Sequence, residues 1–122
     1  MDIIKYEKFN NIFAVDCFDK EFEQLFDSSS YKRYAEWLRR NLHNLDTRGK
    51  NAVDGSHIEK LYKDGFNLYS IRYPRSKTNP RVIFYFTTED NYVILLCAIL
   101  ERSSSDYTRA IRKAIVRIKE VD

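Results

Sequence analysis

The sequence predicts an α+β domain in which one antiparallel sheet has helices packed on it. Three consecutive runs rich in β-branched and aromatic residues, bounded by Gly, Pro, Asn or Asp, predict neighbouring strands at 66–73, 81–86 and 92–100. Apolar residues at helical spacing predict two helices before these strands and one after them, near 18–26, 31–45 and 106–121. Because helices and strands form separate blocks, an α+β arrangement is favoured over a parallel α/β one.

The amino-terminal part begins with two short predicted strands, 3–6 and 12–17, around a turn at Phe9-Asn10-Asn11. A first helix follows, because apolar residues then share one helical face: Phe18, Phe22, Leu25 and Phe26. Asp27 and the three serines after it break this helix and offer an N-cap for the second.

The second helix has an apolar stripe opposite a charged face. Its stripe consists of Tyr31, Tyr34, Ala35, Leu38, Leu42 and Leu45. The stretch 46–56 has no periodicity and contains Gly49 and Gly55, so a loop is predicted there. Residues 58–62 alternate and predict a short strand entering the sheet, and the last helix begins at the polar cluster 103–106.

The length of 122 residues fits a single domain spanning 1–122. The longest apolar run, Val93–Leu100, is far shorter than the roughly 18 residues needed to cross a bilayer. The start of the chain lacks the pattern of a signal peptide, so a cytoplasmic location without a membrane partner is expected. Cys17 and Cys97 lie in apolar, strand-like runs and are expected to be buried free thiols.

Positive charge is concentrated in the second half of the chain. Residues 1–57 contain nine Lys and Arg against ten acids, whereas residues 58–122 contain twelve against eight. Between Lys60 and Arg81 there are six basic residues and one acid, Asp64. A sheet with a basic edge favours an anionic partner.

Several common catalytic patterns are missing from the sequence. Its only glycines, Gly49, Gly55 and Gly65, form neither a P-loop nor a dinucleotide-binding motif. His43 and His57 have no cysteine near them and lack metal-ligand spacing. A hydrolase built on histidine or a metal is therefore disfavoured, and no metal or cofactor is expected.

Three arginines are predicted to meet at one edge of the sheet. Arg72 ends the first core strand, Arg81 opens the second and Arg102 follows the third, and these points coincide in an antiparallel meander. Tyr107 opens the last helix beside the same edge, where a helix amino terminus favours phosphate. Guanidinium groups bind phosphate bidentately, so a phosphate site is one interpretation. The other is that the arginines are solvated and Tyr107 belongs to the core.

These residues resemble the RelE/ParE toxin superfamily of type II toxin–antitoxin systems, especially its phage-derived HigB-like branch. The resemblance lies in the second half of the chain, in four segments: Ile58–Leu61, Gly65–Arg72, Pro80–Phe86 and Val93–Ile99. They match a basic-apolar strand, a Leu-Tyr-x-x-Arg strand, a Tyr-Arg-apolar strand and an apolar strand. The resemblance implies a single RelE-like toxin domain, with two amino-terminal helices and a carboxy-terminal helix on the antiparallel sheet.

The resemblance also implies a ribosome-dependent endoribonuclease that cleaves mRNA by attack of a ribose 2′-OH on the adjacent phosphate. The implied catalytic residues are Arg72, Arg81, Arg102 and Tyr107. The basic positions Lys60 and Lys63 match residues that contact ribosomal RNA, and the predicted RNA-binding set is Lys60, Lys63, Tyr69, Arg75 and Lys77. The implied partners are the ribosome, mRNA and a cognate antitoxin of the helix-turn-helix type.

The chain departs from the family after the last core strand. The family usually has Phe-x-Lys-Lys there, whereas this chain has Ile99-Leu100-Glu101-Arg102, so an acid replaces the first Lys. Two other functions therefore stay open: a ParE-like inhibitor of DNA gyrase, and a catalytically inactive member that binds RNA or protein.

The surface predicted to receive the antitoxin combines the sheet edge with the first two helices. Phe22, Phe26, Tyr34 and Trp37 would supply its aromatic area. Trp37 lies off the main stripe of its helix and is the candidate for an exposed anchor, since buried Trp is a common interface hot spot. The alternative is that Trp37 completes the core.

Overall fold

The computed structural model describes residues 1–54, 57–73 and 79–121, which form a six-stranded sheet and three α-helices. The strands are β1 (Ile3–Lys5), β2 (Ile12–Val15), β3 (Ile58–Lys63), β4 (Phe66–Arg72), β5 (Asn79–Phe86) and β6 (Val93–Glu101). The helices are α1 (Phe18–Gln24), α2 (Ser28–Arg48) and α3 (Ser104–Val121), with a 3₁₀ turn at Gly49–Ala52. The predicted α+β class is confirmed.

The sheet is mixed, with the strand order β1-β2-β6-β5-β4-β3. The strands β3 to β6 form an antiparallel meander, and β1 pairs antiparallel with β2. However, β2 runs parallel to β6, so the prediction of a purely antiparallel sheet is wrong. The two strands are separated in sequence by two helices and three strands, and no short turn therefore constrains their relative direction.

A two-residue turn fixes the register of the β3–β4 hairpin. Asp64 and Gly65 have positive φ angles of 51° and 84°, as a type I′ turn requires at both central positions. Lys63 therefore lies opposite Phe66, and Glu59 lies opposite Ser70.

The next two pairings bring four strand ends together. Arg72 at the end of β4 lies opposite Arg81, and Asn79 at the start of β5 lies opposite Glu101. One end of the sheet, called here the site end, thus contains the start of β3, the end of β4, the start of β5 and the end of β6.

The second helix is longer than the sequence predicts. The Asp27 side chain accepts a hydrogen bond from the Ser30 N–H at 2.9 Å, so α2 begins at Ser28. At its other end, the Asp46 carboxylate accepts from the Asn11 N–H at 2.7 Å, tying the helix to the β1–β2 turn. The prediction of a loop at 46–56 is therefore wrong for residues 46–48, which are helical because this tertiary contact holds them. Residues 55 and 56 lie outside the described part of the chain.

Both faces of the sheet are covered, which explains why β6 is buried from Val93 to Ala98. On one face α3 packs on β6, where the Cys97 thiol lies 3.5 Å from the Ala110 carbonyl. On the other face the rings of Tyr34 and Trp37 in α2 lie within 5.0 and 5.6 Å of the Tyr73 ring centroid.

This packing removes the predicted exposed anchor of the antitoxin surface. Trp37 is only 3% exposed, and Phe22 and Tyr34 are 4% and 6% exposed. The prediction of Trp37 as an exposed anchor is therefore wrong, and the alternative that it completes the core is confirmed. Its ring is buried because the tyrosine that follows β4 packs against it.

The long strand β6 outruns its neighbour β2, which pairs only with Val93–Leu95. Two helical side chains satisfy the backbone beyond that point. The Glu21 carboxylate of α1 accepts from the Ala98 N–H at 3.0 Å, and the Arg117 guanidinium of α3 donates to the Leu96 carbonyl at 2.6 Å. Glu21 and Arg117 also bind each other at 2.7 Å, so this pair replaces a neighbouring strand.

Both cysteines are free thiols; Cys97 is buried, as predicted, whereas Cys17 is only half-buried, so the predicted burial is wrong for Cys17. Burial raises the pKa of Cys97 to about 12, so its thiol stays protonated at neutral pH. Among the described residues, no helix is long and apolar enough to cross a membrane.

Candidate functional site

Five side chains form a polar cluster at the site end, on the face of the sheet that α3 covers. They are Glu59, Arg72, Arg81, Glu101 and Tyr107, called here the arginine–glutamate cluster. Four strands contribute one side chain each, and successive residues of a strand point to opposite faces. The register set by the β3–β4 turn and by the two following pairings therefore places these side chains on one face.

Arg81 is the centre of the cluster and is nearly buried, with 12% of its side chain exposed. Its Nε–H donates to the Glu101 carboxylate, and its Nη1 lies 3.4 Å from Glu59 Oε1. The guanidinium carbon also lies 4.2 Å from the centroid of the Tyr107 ring, in a cation–π contact. Two carboxylates and one ring thus fix the orientation of this guanidinium.

Glu59 connects the other members of the cluster. The Tyr107 hydroxyl donates to Glu59 Oε1 at 2.9 Å, and Arg72 Nη1 lies 3.6 Å from Glu59 Oε2. The Glu59 side chain is 29% exposed and that of Arg72 is 40% exposed. The carboxylate is therefore reachable from solvent while two cations and one hydroxyl hold it in place.

The Tyr107 hydroxyl is a neutral hydrogen-bond donor in this environment. Burial, followed by the acceptor carboxylate of Glu59, raises the pKa of Tyr107 to about 12. Beside it lies Ser70, which is fully buried between Glu59 on β3 and Ile83 on β5. The Ser70 hydroxyl is close enough to influence the ionisation of Tyr107, but it makes no hydrogen bond of acceptable geometry to the described residues.

The structure brings together three of the four residues predicted to be catalytic, namely Arg72, Arg81 and Tyr107. Arg102 does not join them. It is exposed and lines a cleft of about 590 Å³ between α1 and α3, together with Glu21 and Lys113. Glu101 contacts Arg81, whereas Arg102, the next residue, lies outside the cluster. The predicted convergence therefore holds for Arg72 and Arg81 and is wrong for Arg102.

The predicted RNA-binding residues are dispersed. Lys60 and Lys63 are exposed on β3, an edge strand of the sheet, and Lys63 is about 13 Å along the strand from Glu59 at ~3.3 Å per residue. Tyr69, a member of the predicted RNA-binding set, is only 8% exposed and its ring packs against Phe84 and Phe86, so the ring is not available to RNA in this structure. Arg75 and Lys77 lie outside the described residues.

The sequence-based prediction missed both glutamates of the cluster. A signal for Glu59 exists, because the two-residue Asp64-Gly65 turn sets the register of the hairpin. This register places Glu59 opposite Ser70, which precedes Arg72 by two residues on β4. The role of Glu101 had a weaker signal, because its approach to Arg81 depends on the register between β5 and β6.

The cluster has no net charge, since two guanidinium groups face two carboxylates. In the part of the chain that the structure describes, no group of three or more His, Cys, Asp or Glu could hold a metal ion. The groups present at the site end are two carboxylates, one phenol hydroxyl and two guanidinium groups.

Comparison of the chain with protein-family models, with curated proteins and with solved structures found no match.

Proposed function

We propose that this chain is a RelE-like toxin of a type II toxin–antitoxin pair and acts as a ribosome-dependent mRNA endoribonuclease in the cytoplasm. The observation that supports it most is the placement of a carboxylate, Glu59, against a tyrosine hydroxyl and two guanidinium groups on one face of the sheet. A carboxylate beside a hydroxyl provides a proton acceptor and a proton donor, and guanidinium groups stabilise negative charge on a phosphate.

The proposed reaction uses the ribose 2′-OH as the nucleophile. Glu59 takes the proton from the 2′-OH, and the 2′-oxygen forms a bond to the adjacent phosphorus. The bond from phosphorus to the 5′-oxygen breaks, and that oxygen takes a proton from the Tyr107 hydroxyl. Tyr107 then recovers a proton from Glu59 through the hydrogen bond of 2.9 Å between them, which leaves a 2′,3′-cyclic phosphate, a 5′-hydroxyl and the starting enzyme.

Arg72 and Arg81 would stabilise the charge that develops on the phosphate. One well-placed donor of this kind is worth about 3–4 kcal/mol of transition-state stabilisation, and a positioned acid or base contributes about 10²–10⁴-fold in rate. Tyr107, with a pKa raised to about 12, is a weak acid. The proposed enzyme therefore depends on the ribosome to align the 2′-OH with the phosphorus, since alignment can supply several kcal/mol of the barrier.

The test is cleavage of mRNA on purified ribosomes, followed by analysis of the RNA ends. Wild-type protein is expected to produce 2′,3′-cyclic phosphate and 5′-hydroxyl ends, and Glu59→Gln to reduce the rate by about 10²–10⁴-fold. Arg81→Ala is expected to lose about 10²–10³-fold. Arg112→Ala, which removes an exposed arginine of α3 outside the cluster, is the matched control and should cleave like wild type.

Two results would oppose the roles given to single residues, and a third would oppose the function itself. Full activity in a folded Glu59→Gln protein would remove Glu59 as the base, and full activity in a folded Arg81→Ala protein would remove Arg81. Inhibition of DNA supercoiling by gyrase, without RNA cleavage, would instead support the ParE-like alternative.

A catalytically inactive binding protein is the second candidate, and one observation favours it. Arg81 is paired with Glu101 and Glu59 and is 12% exposed, which leaves it with less capacity for a phosphate than an unpaired guanidinium would have. If wild-type protein binds ribosomes or an antitoxin but generates no cleaved ends, this second function is preferred.

A further inference from the structure

The Arg81 guanidinium already holds an anion, and that anion belongs to the protein itself. A guanidinium binds carboxylate and phosphate through forks of neighbouring N–H groups. The Nε–H of Arg81 belongs to one such fork, and it donates to the Glu101 carboxylate. On the other side of the guanidinium, Nη1 faces Glu59, and the Tyr107 ring covers one flat surface. An incoming phosphate thus meets Glu101 on the Nε side of Arg81.

Glu101 is built to leave this position. It is the last residue of β6, opposite Asn79, and is followed by a bend at Arg102 and Ser103. Its side chain is 19% exposed. The contact of Glu101 with Arg81 is the only ion pair found for this glutamate within the described residues. Rotation of the side chain toward water would uncover the Nε–H of Arg81 without moving the backbone.

Glu59 differs from Glu101 in this respect. It is tied by the Tyr107 hydroxyl and by Arg72 as well as by Arg81, and it is an interior residue of its strand, whereas Glu101 is the last residue of β6. Of the two carboxylates on Arg81, Glu101 is therefore the one that a ligand can displace at lower cost.

We propose that Glu101 is an internal competitor for an anion-binding position on Arg81, and that a phosphodiester occupies this position only after displacing it. The phosphodiester as the ligand class rests on the proposed nuclease function, whereas the competition itself rests on the contacts of Arg81. A tethered group competes at an effective concentration of about millimolar or more. A small free phosphate is therefore bound weakly, while a ligand with further contacts elsewhere on the protein can displace Glu101 more readily.

The competition is tested by phosphate binding, without any cleavage reaction. The probes are inorganic phosphate and a 2′-deoxy dinucleotide, which has one phosphodiester and no attacking hydroxyl, and the readout is the NMR resonance of the Arg81 Nε–H. Glu101→Gln should bind both probes about tenfold more tightly than wild type or better, because the competing charge is gone. Tightening for inorganic phosphate alone would locate a phosphate site that does not accept the diester and would overturn the assignment of the ligand.

Two control variants isolate the position. Glu23→Gln removes one exposed carboxylate of α1 and makes the same change in net charge, so it should bind the probes like wild type. The double variant Glu101→Gln with Arg81→Ala should lose the gained affinity. Equal affinities of folded wild type and Glu101→Gln would overturn the proposal.

A measurement on the wild-type protein covers the case in which Glu101→Gln fails to fold. With saturating dinucleotide, the carboxyl carbon-13 resonance of Glu101 should shift together with the Arg81 Nε–H resonance. A shift of Arg81 alone would show that the ligand binds without displacing Glu101 and would also overturn the proposal. If Glu101→Gln binds the probes more tightly but no RNA is cleaved, this inference holds and the nuclease function is refuted. If RNA cleavage depends on Arg81 but Glu101 is not displaced, the nuclease function holds and this inference is refuted.

Discussion

Tyr107 is the residue whose chemistry depends most on its surroundings. Its ring covers the Arg81 guanidinium, and its hydroxyl donates to Glu59. Burial and the neighbouring carboxylate both favour the neutral phenol. At neutral pH the hydroxyl therefore keeps its proton, which the proposed reaction requires it to give to the 5′-oxygen.

An alkaline titration tests this environment. The difference between the phenolate absorbance of wild type and of Tyr107→Phe should show one tyrosine that titrates near pH 12 instead of about 10. Using the difference matters, because burial and the hydrogen bond to Asp19 also raise the pKa of Tyr6. A group in the difference curve that titrates at about pH 10 would contradict the hydrogen bond to Glu59.

The same shift has a consequence for stability, and its sign follows from the direction. The pKa of Tyr107 is higher in the folded than in the unfolded chain, so the neutral phenol favours folding. This stabilisation is fully present below about pH 10 and is lost as the pH rises toward 12. Tyr107→Phe should therefore unfold with a weaker pH dependence than wild type in this range.

At the scale of secondary structure, the most unusual feature is the edge of β6 that extends beyond β2 and has no neighbouring strand there. Unpaired strand edges invite association with other chains. Here Glu21 and Arg117 hydrogen-bond to the edge and to each other, and their side chains are only 18% and 12% exposed. Two helices that are distant in sequence thus protect the backbone of one strand.

Removing the carboxylate from this edge should destabilise the fold. Glu21→Gln weakens hydrogen bonds between charged groups, and we expect a loss of about 1.5–3 kcal/mol in the free energy of unfolding. Urea denaturation at pH 7 provides the measurement. Glu23→Gln, two residues away and exposed, should change it little. Similar stability of the two variants would mean that Glu21 does not hold the edge.

The pH dependence of Glu21 provides an independent check. Burial works to raise its pKa, but the hydrogen bonds from Arg117 and from the Ala98 N–H outweigh burial and hold the pKa below its usual value of 4.5. Because the folded pKa is lower than the unfolded one, this stabilisation is present above pH 4.5 and is lost as the pH falls through the folded value. Wild type should therefore lose more stability than Glu21→Gln on acidification below pH 4.5.

At the scale of the whole molecule, the sheet is the shared core of two helical layers. Phe84 is fully buried and packs with Tyr69 and Phe86 on one face, while Cys97 and Ala110 meet on the other face. The strand ends of the site are held in register by this core. Any loss of core packing should therefore affect the arginine–glutamate cluster as well as stability.

Phe84→Ala tests how strongly the core holds the fold. Deleting a buried aromatic ring should lower the free energy of unfolding by about 3–5 kcal/mol, since a cavity is left behind. Val116→Ala, at a position 53% exposed, is the control and should have little effect. Chemical denaturation gives both values, and a loss below about 1 kcal/mol for Phe84→Ala would contradict a tightly packed core.

Much of the fold follows from the sequence, because its determinants are local. The periodicity of Phe18 and Phe22, the N-cap at Asp27 and the Asp64-Gly65 turn act over a few residues, and each predicted element is present within a few residues of its predicted bounds. Among the predicted site residues, Arg72 and Arg81 lie opposite each other in the β4–β5 pairing, as the predicted order of strands implies.

Other features were decided only by the tertiary structure, because they depend on groups distant in sequence. The parallel pairing of β2 with β6 has no local signal, and α2 continues to Arg48 because Asp46 binds the β1–β2 turn. The burial of Trp37 and Tyr69 depends on which rings meet across the sheet. The sequence by itself thus determined the secondary-structure elements and the position of Arg72 and Arg81. The sheet register and the helix packing decided that Arg102 stays outside the cluster and that Glu59 and Glu101 bind Arg81.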